Sequence, residues 1–184
     1  MNVEKNTAGT RLRERIGKWK LVMIFGAIYI ASQLIIAGIL HPLGTLTVLE
    51  LQTSFSPDTF VNIVQGWIDS DMLSRYWDHF YFDMIHPVWY GLFLCAGLSH
   101  YFNVNAIPNK FDFLLFLPFV AGACDAIENI SHIRFLLDSE SITPLAIAIS
   151  ALACNVKWVL FLGSFLALFT LAIRSKNNNF VEVV

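Results

Sequence analysis

Four stretches of this chain, residues 21–40, 80–101, 111–137 and 144–173, are apolar over a length that few folds can accommodate. A hydrocarbon core of roughly 30 Å takes about 20 helical residues to cross. Within it every backbone amide must find its partner inside the segment, which leaves the helix as the spanning form for a single stretch. The sequence therefore predicts an all-α polytopic membrane protein, a four-helix transmembrane bundle. Composition agrees: 56% of residues are hydrophobic, 14% aromatic and only 14% charged, which excludes an ordinary soluble domain and a disordered chain. A basic segment precedes the first run, as in a secretory signal, but its apolar length of about 20 residues exceeds the roughly 7 to 15 of a signal core. We read it as a retained helix.

The net charge of -2 says less than its distribution. Six of the twelve basic residues precede Leu21, whereas the segment 41–79 has only Arg75. Lys110 follows the second run, Arg134 ends the third, and Arg174 and Lys176 follow the fourth. The positive-inside rule then puts both termini in the cytoplasm and 41–79 outside. This gives a basic cytoplasmic leader at 1–20, loose up to Trp19, one transmembrane domain at 21–173, and a cytoplasmic tail at 174–184. In the outer segment, Ser56-Pro57-Asp58 has the signature of a helix start. Phe60, Ile63, Val64, Trp67 and Ile68 then recur at helical spacing opposite Asn62, Gln65 and Asp69, as an extracytoplasmic amphipathic helix lying on the outer membrane face or on the bundle would. Asp69-Ser70-Asp71 is expected to cap a further helix that runs into the second span, with Tyr76, Trp77, Phe80, Tyr81 and Phe82 as an interfacial aromatic belt. Thr143 caps the fourth span, and Pro118 predicts a kink in the third.

The spans are not uniformly apolar. In the third, CDAIENISHIR places Asp125, Glu128, Asn129 and His132 at i, i+3, i+4 and i+7, one stripe of a helix. In the second, Asp83, His86, Pro87 and Tyr90 repeat that spacing. The fourth adds Lys157, with Ser150 and Cys154 on its face, and the first adds Gln33. Counted at about 1.5 Å per residue from each cytoplasmic end, Gln33, Asp83, Asp125, Glu128 and Lys157 fall at depths of about 18 to 24 Å. An ionised side chain near a helix centre costs roughly 2.5 to 3.5 kcal/mol on insertion scales, so these groups are expected to meet, Lys157 pairing with Asp125 or Glu128. Three carboxylates against one ammonium then require a bound proton, a charged histidine or a bound cation.

Intramembrane ionisable residues usually line a ligand or ion path; the competing reading is a polar clasp that fixes helix register. For His86 and His132 taken singly, donation to a neighbouring group is the simpler role. The pairs Asp83-x-x-His86 and Glu128-x-x-x-His132 resemble di-iron bundle ligands, but the carboxylate set is one short, the second spacing is wrong and a lysine sits among them. No metal or other cofactor is expected. Cys95, Cys124 and Cys154 show no CxxC spacing and read as buried thiols. The chain carries no catalytic triad, glycine-rich phosphate loop or nucleic-acid patch.

Three motifs, FDMIHPVWYG (82–91), AGACDAIEN (121–129) and the lysine of the fourth span, resemble a family of uncharacterised bacterial four-helix integral membrane proteins. That family's pattern is Asp-x-x-x-Pro in helix 2, Asp-x-x-Glu-Asn in helix 3 and Lys in helix 4. The resemblance implies a multi-pass protein of the bacterial inner membrane, with Asp83, Pro87, Asp125, Glu128, Asn129 and Lys157 as its pattern residues. It implies no histidine ligand and no particular activity. A looser, architectural likeness joins the chain to the EXPERA superfamily of emopamil-binding-protein-like sterol isomerases and receptors, whose helices enclose an acidic pocket.

The leading expectation is a buried polar site in the outer half of the bilayer that binds, or transports, a small amphiphilic or cationic ligand. The others are a membrane enzyme doing acid/base chemistry on a lipid-like substrate, and a non-catalytic assembly subunit. A lipid-sized cavity favours the first two, a dry clasp the third. A carboxylate left unpaired beside an apolar slot favours the enzyme. Besides such a ligand, the lipid bilayer is the one partner the sequence names.

Overall fold

The computed structural model of the protein describes residues 8–181, and side chains within 9–176. Lys5 of the basic leader and the last three residues lie outside the described residues. Among those described, the chain is all-helical with no strand. The α-helices are α1 (Ala8–Ile16), α2 (Trp19–Leu40), α3 (Thr45–Thr53), α4 (Pro57–Asp69), α5 (Leu73–Asp83), α6 (His86–Val104), α7 (Leu117–Leu137) and α8 (Pro144–Val181). Short 3-10 turns cover His41–Leu43, Asn109–Phe116 and Ser139–Ser141.

Three helical segments, Trp19–Leu43, Asn109–Leu137 and Pro144–Lys176, are long and apolar enough to cross a membrane. Their outward faces carry Leu34 (68% exposed), Ile130, Val159 (70%) and Leu166, and exposed apolar surface on this scale is rare on a soluble monomer. α6 (19 residues) is the fourth long helix and is not among those three segments. It packs against α1, α2, α7 and α8 together, so most of its residues are buried within the protein. Small residues let its neighbours close in, as at interfaces between membrane helices: a Cβ at Gly97 would sit 2.8 Å from Leu168 Cδ1, and one at Gly91 3.1 Å from Phe119 Cδ1.

α3, α4 and α5 form a cap over one end of this bundle. Phe60 and Trp67 of α4, Tyr76 and Phe80 of α5, Phe135 of α7 and Ile147 of α8 make one apolar cluster there. Asn62, Gln65 and Asp69 face outward, giving α4 the amphipathic form its spacing predicts. Ser56 accepts the Thr59 amide at 3.2 Å and Thr143 the Ala146 amide at 3.2 Å, so both expected caps form.

Several expectations are corrected. Residues 80–101 are not one helix: α5 stops at Asp83, Met84 and Ile85 turn, and α6 starts at His86 with Pro87 in its first turn. Proline lacks the amide that a helix interior needs, so it belongs in a first turn and favours a restart here. Pro118 likewise opens α7 instead of kinking it. No side chain from 69–71 caps α5, whose N-cap is Met72; Asp71 takes φ 58° in the preceding turn. Tyr76 and Phe80 are core rather than belt residues. α3 comes as an extra helix. From Ala8 onward the leader is not loose, since α1 docks on α6 and the 109–116 segment. There a Cβ at Gly9 would meet Asp112 Cβ at 2.5 Å, and Arg13 is buried.

Candidate functional site

The break between α5 and α6 sets up the site. Asp83 ends one helix and His86 begins the next; Asp83 meets α7 through Asn129 and His86 meets α2 through Ser32, while α7 and α8 pack side by side. Asn129 of α7 holds the break: its Nδ2 donates to the Asp83 carboxylate at 2.9 Å and approaches the Asp83 backbone carbonyl at 3.5 Å. One amide thus engages both polar groups that the chain turn would leave unmatched.

One turn along α7, Lys157 of α8 is clamped between two acids. Its Nζ lies 3.1 Å from Asp125 Oδ1 and 2.6 Å from Glu128 Oε2. The other Asp125 oxygen accepts from the Tyr90 hydroxyl at 3.3 Å. Lys157 is 8% exposed and Glu128 fully buried, so the ammonium is used up within the protein. Asp83 has no lysine or arginine within 4 Å among the described residues. Its titratable neighbour is His79, whose Nε2 is 4.0 Å away. His79 Nδ1 faces the Tyr76 carbonyl and must carry a proton to bond it. Its Nε2 and the Asp83 carboxylate are then two acceptors facing each other unless a second proton sits on one of them.

Above these groups lies a cavity of about 350 Å³. Asp83, His86, Tyr90, Asp125 and Lys157 line its floor; Ile36, Leu40, Val48, Leu49, Trp158 and Phe161 supply apolar walls. The walls come from α2, α3 and α8. α2 packs on α5 and α6, and α3 on α8, whereas α2 and α8 face each other mainly across the cavity. His41, Thr45 and Gln52 add polar groups at the cap end.

The predicted residues separate into three groups. Asp83, Asp125, Glu128, Asn129, Lys157 and Tyr90 are brought together, with Glu128 and Asn129 behind the floor. Gln33 lines the cavity as an exposed residue outside the hydrogen-bonded cluster. His86 lines it too, its Nδ1 2.9 Å from Ser32 Oγ. His132 is elsewhere: it bonds the Tyr76 hydroxyl at 2.8 Å and packs against Phe60 and Phe135. Sequence reasoning missed Ser32, Tyr76, His79 and Gln52. Tyr76 and His79 could have been found, since they continue the stripe through Asp83 back by seven and four positions.

No protein-family model, curated protein or solved structure matches the chain.

Proposed function

We propose that α2, α6, α7 and α8 cross a bilayer as a four-helix bundle and that the cavity on Asp83 binds a small amphiphilic cation. Its positive group sits against Asp83 and its apolar part lies between α2 and α8. The observation that carries this reading is the mismatch at the floor: Lys157 is already held by two carboxylates, while Asp83 faces an apolar-walled cavity with an amide and a histidine for company. A cavity of about 350 Å³ is in the size range of small-molecule sites. Entry across the α2–α8 gap would let a ligand arrive from the lipid, suiting binding and transport alike.

The test uses decyltrimethylammonium and decanol, the same chain with and without charge, in equilibrium binding to protein in phosphatidylcholine nanodiscs. The cation is expected to bind about tenfold to hundredfold more tightly than the alcohol, and Asp83→Asn to remove most of that preference. Equal binding of the two probes to the native protein contradicts the reading.

A second reading, an enzyme moving protons on a lipid-like substrate, is supported by one feature: Asp83 and His86 line the same apolar slot and neither is paired with Lys157. Either could serve as acid or base. Deuterium carried from D2O into the C–H bonds of a lipid extract by the native protein and not by Asp83→Asn would favour it.

The lysine and arginine distribution supports cytoplasmic termini with 41–79 outside, and the motif resemblance supports a bacterial inner membrane. A membrane-impermeant thiol reagent added outside, to a protein with its own cysteines replaced, is expected to label Asp69→Cys and not Asn178→Cys. The reverse pattern inverts the orientation.

A further inference from the structure

At the opposite end of the bundle from Asp83, α6, the 109–116 segment and α8 enclose a groove of about 520 Å³. Leu98 and Phe102, Phe111 and Leu114, and Ala167 and Leu171 form its sides. Gly163 opens it, since a Cβ there would meet nothing within 4 Å. The two hydroxyls on its wall are turned back on their own helix, Ser164 to the Leu160 carbonyl at 2.7 Å and Thr170 to the Leu166 carbonyl at 2.8 Å. The groove therefore offers a guest apolar contact and little hydrogen bonding, which is what a hydrocarbon chain accepts.

Its mouth is different in kind. Gly163, Ala167 and Thr170 recur along one face of α8, and Arg174 is the next residue on that face. Lys110 precedes Phe111, and its Nζ lies 5.1 Å from that ring's centroid. Both cations are exposed, and neither has a carboxylate within 4 Å among the described residues. α6 and α8 carry no acid, and the single acid of the 109–116 segment, Asp112, is buried against Arg13 at 3.1 Å. Two exposed cations thus adjoin residues of the apolar groove's wall: Lys110 beside Phe111, and Arg174 one turn beyond Thr170. A second copy docked by a two-fold axis would set this patch against itself and oppose like charges.

We propose that this groove is a binding site for one anionic phospholipid, an acyl chain between α6 and α8 and the phosphate at Lys110 and Arg174. It rests on the membrane-crossing reading above and is independent of any ligand at Asp83.

The test is native mass spectrometry of the full chain released from a nonionic detergent. The additives are dioleoylphosphatidylglycerol, dioleoylphosphatidylcholine or inorganic phosphate. The native protein is expected to hold one phosphatidylglycerol with a preference of about tenfold or more over phosphatidylcholine. Lys110→Gln combined with Arg174→Gln is expected to erase the preference, and Gly163→Leu, which fills open space, to weaken both lipids. Asp83→Asn is expected to leave both lipid adducts as in the native protein, so failure here is distinct from failure at the other cavity; the thiol-labelling experiment tests the crossing itself. Equal binding of the two lipids, or a preference that survives the double substitution, overturns the proposal. So does inorganic phosphate binding with no lipid adduct, which makes the site one for a free anion. A dimer that replaces the lipid adduct and is lost in Gly163→Leu overturns it in favour of a second copy.

Discussion

Replacing Lys157 by methionine is expected to destabilise the protein by about 3 to 5 kcal/mol, the cost of stranding a buried charge. The ammonium meets two acids at 2.6 and 3.1 Å, and both are buried, so its loss leaves two carboxylates facing each other in an apolar surround. Neutralising one acid, as Glu128→Gln or Asp125→Asn, is expected to restore part of the loss. The triple change Lys157→Met, Asp125→Asn, Glu128→Gln is expected to restore most of it, because the interaction is a coupled one. Thermal melts of the purified variants measure this. Strict additivity of the three changes would mean that the clamp contributes nothing as a unit.

Arg13→Met is expected to cost about 3 to 5 kcal/mol for the same reason, with a different consequence. The Arg13 guanidinium donates to Asn103 Oδ1 at 2.6 Å, the Ile107 carbonyl at 2.9 Å, and Asn109 Oδ1 and Asp112 Oδ1, both at 3.1 Å. Phe102 lies under its other face at 5.4 Å. Removing it leaves Asp112 buried without its cation and frees α1 from the bundle. Limited proteolysis is expected to cut within residues 8–16 of the variant much faster than in the native protein. Adding Asp112→Asn should recover melting temperature but not the protection of α1, since the other hydrogen bonds stay lost. Unchanged cleavage would mean that α1 is held by its apolar contacts alone.

The two substitutions also mark what the sequence could and could not disclose. The Lys157 cluster was legible because an ionised residue inside an apolar run must find a partner, and helical spacing says which residues share its face. The helical class and three of the long apolar segments followed from run length alone. The break at Met84 and Ile85 was hidden because hydropathy runs across it; the signal was Pro87, which suits a first turn better than an interior. α3 (TLTVLELQT) alternates polar and apolar residues at a period nearer two than 3.6, so helical periodicity missed it. α1 was unreadable for another reason: what orders it is an acid 99 positions away in the chain, and a basic segment read alone looks solvated. His79 was overlooked because the aromatic residues beside it read as a membrane belt, whereas Tyr76 and Phe80 are packed inside.

If a cation binds at Asp83 as proposed, proton and cation compete for one carboxylate. Its surroundings hold His79 from α5, His86 from α6, Asn129 and the clamped Asp125 from α7, and Lys157 from α8, while α2 presents Gln33 to the cavity and Ser32 and Tyr29 to His86. A proton on the Asp83–His79 pair lowers its demand for a bound cation, and losing that proton restores it. Cation affinity should therefore rise as pH rises. The most direct measurement is the dissociation constant of decyltrimethylammonium in phosphatidylcholine nanodiscs, from about pH 5 to about pH 8, for the native protein and Asp83→Asn. The account predicts tightening binding with increasing pH in the native protein and a flat, weaker profile in the variant. A native profile that is flat, together with an Asp83→Asn protein that binds as well, would contradict it and leave the cluster as a clasp between helices.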